Sequence, residues 1–220
     1  SVLDFAIQAA VRDVMTGKAG TDIFEYLLNG DILYEGGDDA ARKLPTFLGN
    51  HDMGRLAGMI DRAFPDATPA DRLARMKLAH ALLLSMRGAP TIYYGDEQGF
   101  SGDGGDQDAR EDMFASQVAS YNDNRLVGSD ATTATRNFDT SHPLYAAIAE
   151  LSAIRQSHEQ LRRGKTFIRA FEAKPGLLAF TRGDDDGHEI LALFNMSAEM
   201  VDANVEVGTR SGSFESLTGS

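Results

Sequence analysis

Three clusters of polar residues carry the chemistry open to this sequence. Asn50-His51-Asp52 sets an amide, an imidazole and a carboxylate side by side, able to donate, accept and hold negative charge at one point. The run Gly88 to Phe100 passes through Thr91-Ile92-Tyr93-Tyr94 and then places Asp96 and Glu97 at its end. Asp106 and Arg110 stand four residues apart. That spacing fits an ordinary helical ion pair, and it equally fits an acceptor and a fixed donor fork for vicinal hydroxyls. By itself Asn50-His51-Asp52 also reads as the capped start of a loop.

Catalytic groups of α/β folds gather at the C-terminal ends of strands, so the elements before these clusters matter. Thr46-Phe47-Leu48 is a short apolar run that reads as a buried strand running into Asn50. Ala89 to Gly95, with β-branched and aromatic residues, reads as a second buried strand. Two strand ends of one sheet, each bearing carboxylates, would share a cleft. The loop from Asp96 to Asp112 is long enough to be either functional or disordered.

Helices separate the strands. Leu3 to Met15 has Asp4 as N-cap and Ile7, Val11, Val14 and Met15 on one face, with Gly17 and Gly20 after it. A second helical run covers roughly Thr21 to Leu28. Thr68-Pro69-Ala70-Asp71 starts a helix reaching about Met86, apolar almost all round in its second half and therefore buried. Pro143 opens a helix with Leu144, Ile148, Leu151, Ile154, His158 and Leu161 in phase, ended by Gly164. After Gly164 the style changes to short strand-like runs, Thr166–Phe171, Leu177–Thr181, Glu189–Phe194 and Ala203–Val207, with Asp184-Asp185-Asp186 read as a hairpin tip. The expected organisation is an α/β part over residues 1–164 and an antiparallel β part over 165–220. A closed eight-unit barrel needs about 250 residues, so the first part holds about three units, as a small open sheet or a piece of a barrel.

Composition narrows the partners. Of 220 residues, 42% are hydrophobic and 25% charged, which permits an ordinary core. The net charge of −12 repels phosphate backbones and anionic lipid, so neither nucleic acid nor membrane is expected as a partner. The absence of cysteine removes disulfides, thiolate metal sites and cysteine nucleophiles. Ser1-Val2-Leu3-Asp4 does not open like a signal peptide, and no apolar run is long enough to span a bilayer. The compartment stays open. Tryptophan is absent, so any aromatic stacking platform must be Tyr or Phe, and Tyr93, Tyr94, Phe100 and Phe114 are available.

With these residues in order, a resemblance emerges. Leu48-Gly49-Asn50-His51-Asp52 is similar to the strand-seven motif of the α-amylase family of glycoside hydrolases. Gly88 to Phe100 resembles that family's strand eight and its loop. Asp106…Arg110, followed by Asp112-Met113, resembles the sugar-binding loop of the cyclomaltodextrinase and neopullulanase-like branch, and Leu3-Asp4-Phe5 resembles the region around strand six. The order and spacing agree from residue 1 to about 195. The resemblance implies the C-terminal part of a (β/α)₈ barrel, a following β-sandwich-type domain that stops early, and retaining cleavage or transfer at α-glucosidic bonds. It implies that Asp52 is the carboxylate that stabilises the transition state, that His51 binds the same sugar, and that Asp106 and Arg110 hold the neighbouring glucose. The family's nucleophile and acid/base lie on strands four and five and have no counterpart here, so the polypeptide alone is expected to be inactive. Met53, Met59, Met76, Met86 and Met113 fall mostly on helix faces and read as core packing, while the missing N-terminal half of the barrel, or self-association, is expected to cover apolar strand and helix faces left open.

Rival readings of the same residues are a non-catalytic carbohydrate-binding chain and a structural or transport subunit without sugar chemistry. Asp103, Asp106 and Asp108 read as a solvated polar loop, and no cofactor is expected; calcium belongs to other parts of the family's fold. His80 and His158 read as packing or surface residues, and His142 as a helix-start residue.

Overall fold

The computed structural model describes residues 2–183, 187–208 and 213–218. Its elements run α1 (Phe5–Met15), α2 (Ile23–Asn29), α3 (Gly37–Ala41), β1 (Pro45–Phe47), α4 (Leu56–Ala63), α5 (Pro69–Ser85), β2 (Ala89–Thr91), α6 (Ala119–Asn122), α7 (Pro143–Ser157), α8 (Glu159–Arg163), β3 (Lys165–Ala170), β4 (Leu177–Gly183) and β5 (Glu189–Asn195). Strands β1 and β2 pair in parallel, Pro45 with Ala89 through Phe47 with Thr91. Strands β3, β4 and β5 form an antiparallel sheet in that order. The whole is an α/β fold in which a short parallel pair is flanked by helices and left unclosed. Among the described residues no helix is long and apolar enough to cross a membrane.

Local sequence explains the helix starts. Asp4 accepts from the Ile7 N–H at 3.0 Å and caps α1, while its own N–H donates to the Pro45 carbonyl at 2.9 Å, holding the entry to α1 beside β1. At α5, Thr68 Oγ1 accepts from the Asp71 N–H and Asp71 accepts from the Thr68 N–H, a complete capping box ahead of Pro69. Helix α5 then supplies Met76, Ala79, Leu82 and Leu83 to a core shared with Ile7 and Val11 of α1, Leu56 and Ile60 of α4, and Leu178, Phe180 and Phe194 of the antiparallel sheet. One apolar core therefore joins α1, α4 and α5 to the antiparallel sheet.

The end of α5 is gripped by two buried arginines. Arg155 donates to the carbonyls of Leu84, Met86 and Gly88 at 2.8, 3.0 and 2.7 Å. Arg182 of β4 donates to the carbonyls of Ser85 and Gly164 at 2.9 and 2.8 Å, tying the antiparallel sheet to the helix. Helix C-terminal carbonyls have no partner within the helix, so these guanidiniums satisfy groups that would otherwise be buried and bare. Burial pulls Arg155 down to about 10 and Arg182 to about 9, which leaves both charged at neutral pH. A third buried guanidinium, Arg87, donates to Asp4 Oδ2 at 2.6 Å and grips Asp31 with two nitrogens at the entry to β2.

Four expectations need correction. Strand β2 is not buried: Ala89 and Thr91 are exposed, because β2 has β1 on one side and no further strand beside it among the described residues. The helix from Pro143 does not continue to Gly164. It breaks at His158, where Ser157 Oγ donates to the Ala153 carbonyl at 2.7 Å and His158 Nδ1 to the Ile154 carbonyl at 2.8 Å. Those side chains satisfy the last carbonyls, and α8 starts afresh. The second helix starts at Ile23, since the Thr21 hydroxyl is engaged across the fold with the Leu177 carbonyl at 2.6 Å. Ala203–Val207 forms no strand. The hairpin-tip reading of Asp184-Asp185-Asp186 lies outside the described residues. His142 caps α7, accepting from the Leu144 N–H at 3.2 Å.

Two stability measurements follow. Arg155→Met strips three buried carbonyls of their donor and should lower unfolding free energy by about 2–4 kcal/mol in urea titration. His80 is fully buried, donates from Nδ1 to the Met76 carbonyl at 2.8 Å and has no partner at Nε2 among the described residues. Burial lowers it from 6.5 to about 4, so folding holds the neutral ring; its contribution is intact above pH 6.5 and erodes as pH falls toward 4. His80→Leu should flatten that acid limb, removing about 3 kcal/mol of pH dependence.

Candidate functional site

The chain leaves β1 through Leu48 and Gly49 into a tight turn. Asn50 and Gly54 exchange backbone hydrogen bonds at 3.3 and 3.1 Å, and Asn50 Oδ1 accepts from the N–H groups of Asp52 and Met53, both at 2.9 Å. Gly54 closes the turn at φ +92°, a conformation that a side chain would strain. The first residue of the cluster is thus consumed in shaping the loop, which is the capping role, while the next two face outward. His51 Nε2 lies 3.3 Å from Asp52 Oδ1, and the Asp52 side chain is 70% exposed.

The loop carrying Asp106 and Arg110 lies directly against this turn. A Cβ on Gly105 would fall 2.5 Å from the Asp52 carbonyl oxygen, and one on Gly54 would fall 2.4 Å from that of Gly104. The two backbones touch because neither glycine has a side chain. Asp106 opens a single 3₁₀ turn, Asp106–Ala109, with φ +53°, and Arg110 Nη2 returns to Asp106 Oδ1 at 2.7 Å. The Arg110 side chain is 43% exposed. All four residues singled out from the sequence, His51, Asp52, Asp106 and Arg110, therefore stand on one open rim, at the exit ends of the parallel strands.

Beneath the rim lies a buried ion cluster that the sequence did not advertise. Arg55, 1% exposed, donates to the Tyr94 carbonyl at 2.8 Å and to Asp96 Oδ1 at 2.9 Å. Its Nε lies 2.6 Å from Glu111 Oε2, and Glu111 Oε1 in turn accepts from the Gly102 N–H at 3.2 Å. The guanidinium carbon stands 4.5, 5.2 and 5.1 Å from the ring centres of Tyr93, Tyr94 and Phe100. Burial pushes Asp96 up to about 7 and raises Glu111, with Arg55 opposing the shift in both. Arg55 sits in Met53-Gly54-Arg55-Leu56-Ala57, where it is the only charged residue, and that isolation was the available signal. Its partners come from other loops.

Of the two carboxylates expected from the second strand end, Asp96 turns inward to Arg55, while Glu97 is half-buried and accepts from the Gly95 N–H at 2.8 Å. Phe100 is likewise unavailable for stacking, being buried under the same guanidinium. Tyr94 and Phe114 remain exposed. Tyr93 donates from its hydroxyl to the Ala109 carbonyl at 3.1 Å, and burial pushes it up to about 12. Among the described residues no three His, Asp or Glu side chains converge as a metal site.

Fold and rim together define one architecture: two parallel strands whose exit loops bear the polar groups, with an antiparallel module packed on the helices. Residues 33–164 match the family described as alpha amylase, catalytic domain, and the chain belongs to that family. It is 38% identical to an α-amylase of Streptomyces lividans over 220 residues, all of this chain and 24% of that protein. It is 28% identical to a cyclomaltodextrin glucanotransferase of Paenibacillus macerans over 210 residues, 89% of this chain and 24% of that one. Among solved structures it matches CldA, a cyclomaltodextrin glucanotransferase with a three-domain ABC distribution, with a TM-score of 0.66 and 26% identity over 96% of this chain and 36% of that chain. The chain thus spans about a quarter of the length of these curated relatives.

Close backbone contact between the two loops gives a direct test. Gly105→Ala should force them apart and cost about 1–3 kcal/mol of stability, with the amide resonances of Asp52 and Met53 shifting more than those of α5. An unperturbed Asp52 amide in that variant would contradict the contact.

Proposed function

We propose that this chain forms the C-terminal part, about the last three units, of the (β/α)₈ barrel of a retaining glycoside hydrolase acting on α-glucans or maltooligosaccharides, with residues 165–220 as the start of a following β domain. Retaining glycosidases work with a nucleophile and an acid/base about 5–5.5 Å apart around an oxocarbenium-like transition state. On this reading Asp52 is a third carboxylate that accepts hydrogen bonds from ring hydroxyls of the sugar being cleaved. Bonds of that kind tighten as the ring flattens and lower the barrier. His51 donates to the same ring. Asp106 and Arg110 hold the neighbouring glucose, one accepting and the other donating in a fixed fork. An exposed ion pair costs little to open, so their 2.7 Å contact can yield to a hydroxyl.

The single observation carrying the reading is the seam where Gly105 meets the Asp52 carbonyl, because it puts both pairs of residues on one rim. The Asp106–Arg110 spacing favours the cyclomaltodextrinase or neopullulanase-like branch. Hydrolysis or transfer turns on whether water or a sugar hydroxyl reaches the intermediate, and both use the same groups. The exposed side chains of Tyr26, Ile32 and Leu33 support association with the rest of such a barrel, or self-association.

Because nucleophile and acid/base lie outside these residues, the purified 220-residue chain should bind without turnover. Calorimetric titration with maltotriose should give a saturable heat, weakened by about tenfold in Asp52→Ala and in Arg110→Ala. Starch hydrolysis by the chain that disappears in Asp52→Ala, or no binding at all, would overturn the proposal.

A further inference from the structure

Arg55 links the turn that bears Asp52 to the loop after β2 and to Glu111. It follows the Asp52 turn directly, being next to Gly54 in the chain. Through Nη1 it holds Tyr94 and Asp96 of the loop after β2, and through Nε it faces Glu111, which holds Gly102. Gly102 and Glu111 bracket the segment that contains Gly105, Asp106 and Arg110. The Arg55 guanidinium carbon is enclosed by the rings of Tyr93, Tyr94 and Phe100, so the group cannot turn to a second set of partners without giving up the contacts to Asp96 or Glu111. None of its atoms reaches the exposed side of the rim, since the residue is 1% exposed.

We infer that Arg55 is a positioning residue that fixes the spacing between the Asp52 turn and the Asp106–Arg110 loop, so that two adjacent sugar rings meet both pairs of side chains in one register. The inference rests, for its consequence in binding, on the sugar-cradle reading above. It requires no contact between Arg55 and sugar. A fork that reaches two separate carboxylates and a carbonyl is what a guanidinium offers and an ammonium does not, because lysine presents a single point of charge. Losing one arm of the fork frees one loop from the other, and a displacement of about an ångström at a binding group can cost up to about a hundredfold.

Hydrogen exchange and maltotriose titration on the 220-residue chain test this, with Arg55→Lys and Glu111→Gln beside the unmodified protein. In Arg55→Lys the amides of Asp52, Met53 and Gly102 should exchange faster by about tenfold or more while the amides of α5 keep the protection set by global unfolding. Maltotriose affinity should fall at least about tenfold in the same variant. In Glu111→Gln the Gly102 amide should loosen and the Asp52 and Met53 amides should not, because the Arg55 bonds to Tyr94 and Asp96 remain. A merely destabilising role would speed all these amides together. Equal protection of the loops in Arg55→Lys would overturn the inference, and so would loosened loops with undiminished affinity. If the unmodified chain binds no maltotriose, the sugar-cradle reading fails, and the exchange pattern alone then decides whether Arg55 sets the spacing.

Discussion

A guanidinium sealed from water has to recover its hydration from whatever surrounds it, and the rim of this fold is arranged around that requirement at Arg55. A lone charge moved into a protein interior costs several kcal/mol even after relaxation, and breaking one side of a buried pair costs about 3–5 kcal/mol. Pulling one of these loops away from Arg55 therefore costs more than breaking one of the loop's own hydrogen bonds. The pairs above it obey the opposite rule. His51 with Asp52 and Arg110 with Asp106 are exposed, and exposed pairs contribute about 0–1 kcal/mol. The groups free to exchange partners with a ligand are carried on loops that cannot easily move.

The same device recurs at the other end of the fold. Arg87 grips Asp4 and Asp31 below β2, and Arg155 and Arg182 close over the end of α5. Charge is placed where chain segments distant in sequence must be held together: the entry of α1, the turn after α2, the α5–β2 corner and the antiparallel sheet. Apolar burial supplies the bulk of the cohesion, because one core links α1, α4, α5, β4 and β5. The arginines decide which backbone carbonyls meet, which hydrophobic contact by itself leaves open.

What could be read from the sequence divides along the same line. Elements set by local chemistry were legible: the Asp4 cap, the Thr68–Asp71 box, the apolar face of α5 and three of the four expected late strands. The rim residues were legible too, because Asn50-His51-Asp52 and Asp106…Arg110 each form a compact pattern. The foundation was not. Arg55 and Asp96 are 41 residues apart in the chain, and nothing near either one announces the other. Helix periodicity continued smoothly through His158, yet Ser157 and His158 turned back to bond the preceding carbonyls and ended α7. Strand propensity at Ala203–Val207 met no partner strand among the described residues, and a run of that length without one does not form a strand. Long-range pairing, rather than residue preference, accounts for each failure.

Geometry also separates the rim from the apolar surface. Leu33, 85% exposed, lies with Tyr26 and Tyr34 around a concavity that reaches Asp31 and Arg87. Arg87 precedes β2 and Tyr94 follows it, so this surface belongs to the entry end of the strand and the Asp52 rim to its exit end. Exposed apolar area costs about 25 cal/mol per Å², which gives any covering surface a reason to settle at the entry end. The exit end sets the charged and solvated side chains of His51, Asp52, Asp106 and Arg110 beside the exposed rings of Tyr94 and Phe114, a surface suited to a polar ligand with flat faces. Chain segments can therefore pack against the first surface while the second stays open to a polar ligand, and the short parallel strands are what keep the two apart.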